Sequence, residues 1–223
     1  MPGASKIVIA IDGPAGSGKS TVCRIVAERL KLRLLDTGAM YRCIALKALK
    51  LGITELDAVA KMAEKTEIRF EQGNPQRVIL DGEDVTDAIR TLEIGEHASI
   101  VSAHPPLRVV LVARQKAMIA EGGCILEGRD TTTVVAPAAD VKIFLTASIE
   151  ERADRRHKEI VARGEDRRLQ EVVIDVIKRD YRDYVREGSP ITLAEDAKII
   201  ETYDKSPGEV AEVIIEMANR TTS

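Results

Sequence analysis

Nine consecutive residues, Gly13-Pro14-Ala15-Gly16-Ser17-Gly18-Lys19-Ser20-Thr21, put a lysine and a hydroxyl at the end of a glycine-rich run. Glycine costs backbone entropy, so clustered glycines mark a sharp turn or a close approach to another group. The spacing Gly13-x-x-x-x-Gly18-Lys19-Ser20 fits a loop whose backbone N–H groups, with a helix N-terminus, wrap a polyphosphate. Lys19 then serves as a surface-loop charge aimed at the outer phosphates, and Ser20 offers its hydroxyl to Mg²⁺. An ordinary strand-to-helix turn is the bland alternative. It is disfavoured because the apolar run Lys6 to Ile11 precedes the loop, while Val22, Ile25, Val26 and Leu30 follow at helical spacing. The loop therefore reads as a nucleoside triphosphate site.

Four other stretches carry charge where charge is costly. In "LDTGAMYR" (Leu35 to Arg42), Thr37 stands where a helix start could hold an anion or simply be capped, and Arg42 lies one turn on. "EGRD" (Glu127 to Asp130) ends an apolar strand, where Arg129 and Asp130 need solvent, a partner or a ligand. Arg152, Arg155, Arg156, His157, Lys158 and Arg163 form a cation-dense helix with few acids nearby, Arg152, Arg156 and Arg163 sharing one side. In "RDYRDYVR", Arg179, Asp183 and Arg186 make an i, i+4, i+7 stripe, with Val173, Val176, Ile177 and Tyr184 on another side. Taken alone, that stripe is better explained by a weak exposed ion pair.

Only His97, His104 and His157 occur, and no zinc-ligand or Ser-His-Asp set is visible. Phosphoryl transfer needs neither, because it depends on positioning and charge neutralisation.

The elements that must position these groups alternate between strand and helix patterns. After the first strand come Arg33 to Gly38, Cys124 to Asp130, Val141 to Ala147 and Lys198 to Thr202. Five strands with helices between them predict a doubly wound parallel α/β sheet, with ligand beyond the C-terminal strand ends. Two later helices open on capping boxes, Ser148 with Glu151 and Ser206 with Glu209, the latter with Pro207 first in the helix. From Ile68 to Asp87 the alternation breaks. Two strand-like runs flank the turn Gly73-Asn74-Pro75, and "LDGEDVT" supplies another turn, which predicts a small β insert.

The 223 residues suffice for one large domain with inserts, and a net charge of −3 gives no field for nucleic acid or membrane. Aromatics at 3% with no Trp leave few platforms for stacking single-stranded bases. Cys23, Cys43 and Cys124 are far apart and odd in number, so reduced core thiols in a cytoplasmic protein are expected. The N-terminal apolar run is too short for a signal peptide or a span.

With these residues in hand, the sequence resembles the bacterial cytidylate kinases, a family of nucleoside monophosphate kinases. The motifs carrying the resemblance are "IAIDGPAGSGKST", "DTGAMYR", "VILDGEDVT…IR", "EGRDTTTVVAPAADVKIFLTAS…ERADRR", "RDYRDYVR" and "PITLAEDA". They run from about Lys6 to the final helix. The first is common to many P-loop kinases, and the rest together are specific.

The resemblance implies an adenylate-kinase-like fold: one P-loop kinase domain over 1–223, with a monophosphate-binding insert at 66–104 and lid and arginine-stripe helices at 150–188. It implies transfer of the γ-phosphoryl group of ATP to CMP and dCMP, with Mg²⁺, by a monomer. Gly13 to Thr21 would hold ATP, and Thr37, Arg42 and Arg129 would sit near the acceptor. Ser99, Arg108 and Asp130 match positions that read cytosine. Arg179, Asp183 and Arg186 match those that hold the CMP phosphate and sugar. Lys19, Arg129, Arg152, Arg156 and Arg179 would carry the charge of transfer. The competing readings are a P-loop kinase for another small acceptor (UMP, a sugar, a coenzyme precursor) and a nucleotide-binding regulator without transfer.

The chain departs from the family pattern in three places. Thr131-Thr132 replaces an apolar residue and glycine, Tyr184 replaces a small or polar residue, and Glu201-Thr202 stands where Asp-Thr or Asp-Ser is expected.

Overall fold

The computed structural model describes residues 6–71, 73 and 76–221; the middle and end of the expected Gly73-Asn74-Pro75 turn, Asn74 and Pro75, lie outside them. The chain divides into two compact units, one within Met1–Leu34 and Gly122–Ser223, the other Leu35–Glu121. The expected 66–104 insert falls inside the second.

A five-stranded sheet, within the first unit but for the last two residues of β2, has the order β2-β6-β1-β7-β8, with β1 Val8–Asp12, β2 Arg33–Asp36, β6 Cys124–Gly128, β7 Val141–Thr146 and β8 Lys198–Glu201. β1 pairs in parallel with β6 and β7, and β7 with β8. The apolar sequences of β1, β6 and β7 are what strands covered on both faces require. Ile9, Ile11, Ile125, Ile143 and Leu145 form one core with Val22 and Val26 of α1 (Lys19–Leu30) and Val210 and Ile214 of α8 (Pro207–Thr221). Asp12 stands level with Gly128 on one side and Phe144 on the other, so the loops after three strands leave from one edge. α6 (Ile149–Ala162) and α7 (Leu169–Val185) pack on one another. Both capping boxes form, at Ser148 with Glu151 and at Ser206 with Glu209.

β6 ends at Gly128, so Arg129 and Asp130 leave the strand sooner than the apolar run implies. A wide turn over Thr131–Val135 follows, with the Ala136 N–H donating to the Thr131 carbonyl at 2.8 Å. Such i→i+5 turns are uncommon and often functional.

The second unit comprises α2 (Thr37–Lys50), α3 (Leu56–Glu64), an antiparallel sheet of β3 (Ile68–Glu71), β4 (Arg77–Leu80) and β5 (Glu83–Asp84), then α4 (Leu92–Val101) and α5 (Pro105–Ile119). Met40, Ile44, Ile89, Leu107 and Leu111 are its fully buried anchors. The insert has three strands where two were read. Asp81 and Gly82 turn the chain at positive φ, and the polar pair Glu83–Asp84 pairs with β4 through its backbone.

Candidate active site

The glycine loop bridges β1 and α1. A Cβ on Gly13 would lie 2.0 Å from the Leu145 carbonyl oxygen, so β7 passes too close for any side chain there. Gly18 caps α1 in the left-handed region at φ 89°, and the first turn of α1 carries no acidic residue. The positive end of the helix dipole is therefore left uncompensated by the helix itself.

Five successive loop carbonyls accept hydrogen bonds from side chains. Lys19 Nζ donates to Gly13 and Pro14 at 2.7 Å each. Arg152 donates to Ala15 at 3.1 Å, Arg155 to Gly16 at 3.4 Å, and the Thr202 hydroxyl to Ser17 at 3.4 Å. Carbonyls engaged in this way keep their negative ends away from an anion, which the N–H groups can then meet.

Lys19 is not the surface charge that its loop position suggests, because only 6% of it is exposed. Burial pushes its ammonium down, Arg129 pushes it further, Glu127 and Asp12 pull it back, and Arg179 again lowers it, leaving a pKa of about 7. The Ser20 hydroxyl donates to a Glu127 carboxylate oxygen at 2.8 Å. Ser20 thus comes with a second oxygen donor that the sequence reading passed over. The available signal was a carboxylate ending the strand next to the loop strand.

A second cluster forms around Asp183. Arg129 Nε donates to Asp183 at 2.9 Å, and Arg186 lies 3.7 Å from Asp183 and 3.9 Å from Asp130. Burial pushes the Asp183 carboxyl up, but Arg129, Arg179 and Arg186 outweigh it and hold the group below the ordinary carboxylate range. Arg129 and Arg179 act on both Lys19 and Asp183, so they link the loop to the cluster.

Arg186 is the first residue beyond α7, held in place by donation from its Nε to the Ser189 carbonyl at 2.8 Å. The opposing apolar face that was expected is corrected. Val172, Val176 and Asp183 are buried on one continuous face, whereas Ile177 is exposed and Tyr184 is 70% exposed. Tyr184 therefore does not enter the arginine stripe.

The cation-rich helix divides in two. Arg152 is buried and fully committed, to Ala147, Ala15 and, at 2.6 Å, Asp180. Arg155 reaches Thr202 at both its hydroxyl and its carbonyl. The expectation of few nearby acids fails. Arg156 pairs with Glu159 and Lys158 with Asp154, so Arg152 and Arg156 do not share an environment. Arg163 is exposed just beyond the helix.

In the second unit, Thr37 begins α2, but the cap is Asp36, which accepts from the Ala39 N–H and pairs with Arg90. Arg42 donates to the Ile89 carbonyl at 3.0 Å. Arg108 is buried, lies 5.4 Å from the Tyr41 ring centroid and donates to the Ser102 carbonyl, while the Ser102 hydroxyl donates to the Ser99 carbonyl. The Ser99 hydroxyl is buried with no protein partner among the described residues. A buried polar group in that state calls for a ligand or water.

Cys23, Cys43 and Cys124 are buried free thiols, as expected, and burial pushes Cys43 up to about 12. Among the described residues, no helix is long and apolar enough to cross a membrane.

The comparisons with known proteins agree with this geometry. The sequence model of the cytidylate kinase family matches residues 9–220. A cytidylate kinase of Listeria welshimeri serovar 6b is 48% identical, over 96% of this chain and 97% of its own. One of Carboxydothermus hydrogenoformans is 45% identical, over 95% and 97%. Among solved structures, a gluconokinase of Sinorhizobium meliloti shares the fold at a TM-score of 0.50 and 15% identity, covering 97% of this chain and 94% of its own. An uncharacterized protein of Eubacterium ventriosum does so at 0.52 and 14%, covering 97% and 99%. A family match over nearly the whole chain, joined to a glycine loop with its lysine and a ring of arginines, has one meaning: this chain belongs to the cytidylate kinase family.

Proposed function

We infer that the chain transfers the γ-phosphoryl group of ATP to CMP, and to dCMP, giving ADP and the diphosphate. The observation that carries this reading is the buried cluster beside the glycine loop, in which Arg129 Nε donates to Asp183 at 2.9 Å and Arg186 lies 3.7 Å from the same carboxylate, with Arg129 also acting on Lys19. Phosphoryl transfer needs little covalent help from the protein, but it needs cations spread over the charge that moves.

The loop from Gly13 to Thr21 holds the ATP phosphates through its backbone, with Lys19 on the outer ones. Arg129 and Arg179 neutralise the group in transit, and Arg186 and Asp183 hold the acceptor's phosphate and sugar. Ser20 and Glu127 offer the hard oxygen donors that suit Mg²⁺, which takes one or two protein oxygens and keeps water for the rest. When bound, the ion would neutralise phosphate charge.

Arg152 and Arg155 shape the loop, since their guanidiniums already serve its carbonyls. Arg156 and the residues towards 168 are the lid portion that closes over ATP. Hydrogen exchange there is expected to slow when both nucleotides bind, while the Arg152 region changes little.

On the acceptor side, Asp130 accepts from the cytosine amino group, and Ser99 and Arg108 supply donors for the ring's acceptors. Thr37 and Arg42 contact the nucleoside monophosphate. The test is a panel of monophosphates titrated with ATP while ADP release is followed. Turnover with CMP and dCMP far above that with UMP or a sugar is expected, and binding without ADP release would overturn the reading.

A further inference from the structure

Asp12 is the last residue of β1, fully buried, and not one of the groups assigned to substrate. Its carboxylate accepts four hydrogen bonds, all from two residues. One carboxylate oxygen accepts from the Thr131 N–H at 2.8 Å and its hydroxyl at 2.7 Å, and the other from the Thr132 N–H at 2.7 Å and its hydroxyl at 2.6 Å. Two donors on each oxygen account for the four strong lone-pair sites of a carboxylate. The O–H···O distances are those of charge-assisted bonds, the strong class. Both threonines are buried and β-branched, so their hydroxyls have little rotamer freedom.

The position of this knot matters. Gly13, the first residue of the phosphate loop, directly follows Asp12, and Asp130 and Arg129 directly precede Thr131. Thr131 also accepts the bond that closes the wide turn, through its carbonyl. One carboxylate thus ties the root of the donor loop to the segment bearing two acceptor-side groups. Backbone N–H groups alone would supply half of these bonds. The hydroxyls supply the other half, at positions where this chain departs from the pattern of an apolar residue followed by glycine.

We propose that Thr131 and Thr132 are positioning residues that clamp Asp12 through their hydroxyls and so hold the 13–21 loop and the Arg129–Asp130 segment at the separation that transfer requires. The effect belongs in turnover more than in binding. Each substrate meets its own segment intact, whereas the reacting atoms meet only if the two segments are in register, and a misplacement of about 1 Å costs about 10²-fold.

The proposal rests on the placing of ATP on the 13–21 loop. Lys19→Ala is therefore run alongside, since normal turnover in that variant would sink the placing whatever the threonines do. Thr131→Val and Thr132→Val keep the shape and the N–H while deleting one hydroxyl each. Their kcat for CMP phosphorylation should fall by about 10- to 100-fold, with the KM values for CMP and ATP within about twofold of the parent's. Thr131→Ser and Thr132→Ser, which restore the hydroxyl, should recover most of the loss. A lower melting temperature with unchanged kcat in the folded Val variants would make the clamp merely structural and overturn the proposal. Ser variants as slow as the Val variants would overturn it too, because the hydroxyl would then not be what restores turnover. Should either Val variant fail to fold, the other carries the same kcat-against-KM test.

Discussion

The glycine loop and the cluster around Asp183, the two phosphate sites proposed above, are built by opposite means. In the loop, side chains from Lys19, Arg152, Arg155 and Thr202 occupy successive carbonyls, and the binding surface is backbone at the positive end of α1. In the cluster, three guanidiniums act on one buried carboxylate, and side chains form the binding surface. A backbone site is made by a contiguous segment and depends on few side chains. A side-chain site can be assembled from distant segments, here 129–130 and 179–186, but every member is exposed to loss by a single substitution. The loop should therefore fail at Lys19 above all, while the cluster should fail in graded steps.

Lys19→Ala gives the largest effect. It removes the loop's only cation and should cost about 10²–10³ in kcat, the range seen when one preorganised charge-stabilising donor is lost. The fold should persist, because Arg152, Arg155 and Thr202 still hold the loop through the carbonyls of Ala15, Gly16 and Ser17. Steady-state turnover and apo melting measure both. Near-normal turnover would remove the loop from the chemistry and erase the contrast.

Asp130→Asn comes next, and it tests the acceptor side without disturbing the phosphate. Cytosine presents an amino donor where uracil presents a carbonyl. The amide keeps the volume, loses the charge and can turn its NH₂ towards uracil. Buried polar groups left unpaired by the wrong substrate discriminate by about 10⁴, so the CMP:UMP ratio of kcat/KM should fall by about 10² or more. Equal losses on both substrates would assign Asp130 to Arg186, 3.9 Å away, and cytosine would be read elsewhere.

Arg179→Ala and Arg186→Ala sharpen the contrast at smaller scale. A charge-assisted bond to phosphate is worth about 1.5–3 kcal/mol, or about one to two decades. The KM for CMP should rise by that factor while the affinity for ATP changes little. Equal, small effects on both ligands would return the stripe to an ordinary ion pair worth a few tenths of a kcal/mol.

The same contrast explains what was legible in the sequence. The loop could be read outright because its chemistry is local: residues 13–21 fix their own backbone, and the strand before and helix after confirm it. The five strands were legible because buried parallel strands are continuous apolar runs. Asp183 and its arginines were visible as an i, i+4, i+7 stripe, but spacing alone could not separate a ligand cage from a surface pair. Burial of Asp183 and Arg186 excludes an exposed pair, and burial depends on tertiary packing. Asp12, Glu127 and Thr202 were not legible as site residues, because each acts through a partner between 107 and 185 positions away. The division of α6 was missed for a related reason: Asp180, which takes up Arg152, belongs to another helix.

The last effect, at Asp183, is one of stability, and its smallest part, the change with pH, separates the cluster's structural role from its binding role. Burial alone would raise the Asp183 carboxyl, but Arg129, Arg179 and Arg186 bring it below its ordinary value of about 3.9. A carboxyl whose folded pKa is depressed contributes stability that is fully present above the unfolded pKa and is lost as pH falls through the folded one. Asp183→Asn should therefore be less stable than the parent at pH 7, because the amide removes the buried carboxylate that Arg129, Arg179 and Arg186 share, a change that costs about 3–5 kcal/mol where a fully buried pair is broken and less here, where Arg129 keeps some solvent and Asp130 still faces Arg186. The gap in denaturation midpoint should stay constant from pH 7 to about pH 4 and narrow below it, as the parent's own carboxyl takes up a proton. The loop contains no acidic residue, so Lys19→Ala should show no such narrowing from within its own segment. A gap independent of pH down to 3 would mean that Asp183 stabilises the fold by its hydrogen bond to Arg129 alone and not by its charge. The cluster would then be held together by geometry, as the loop is, and the contrast between the two regions would reduce to which atoms make the bonds.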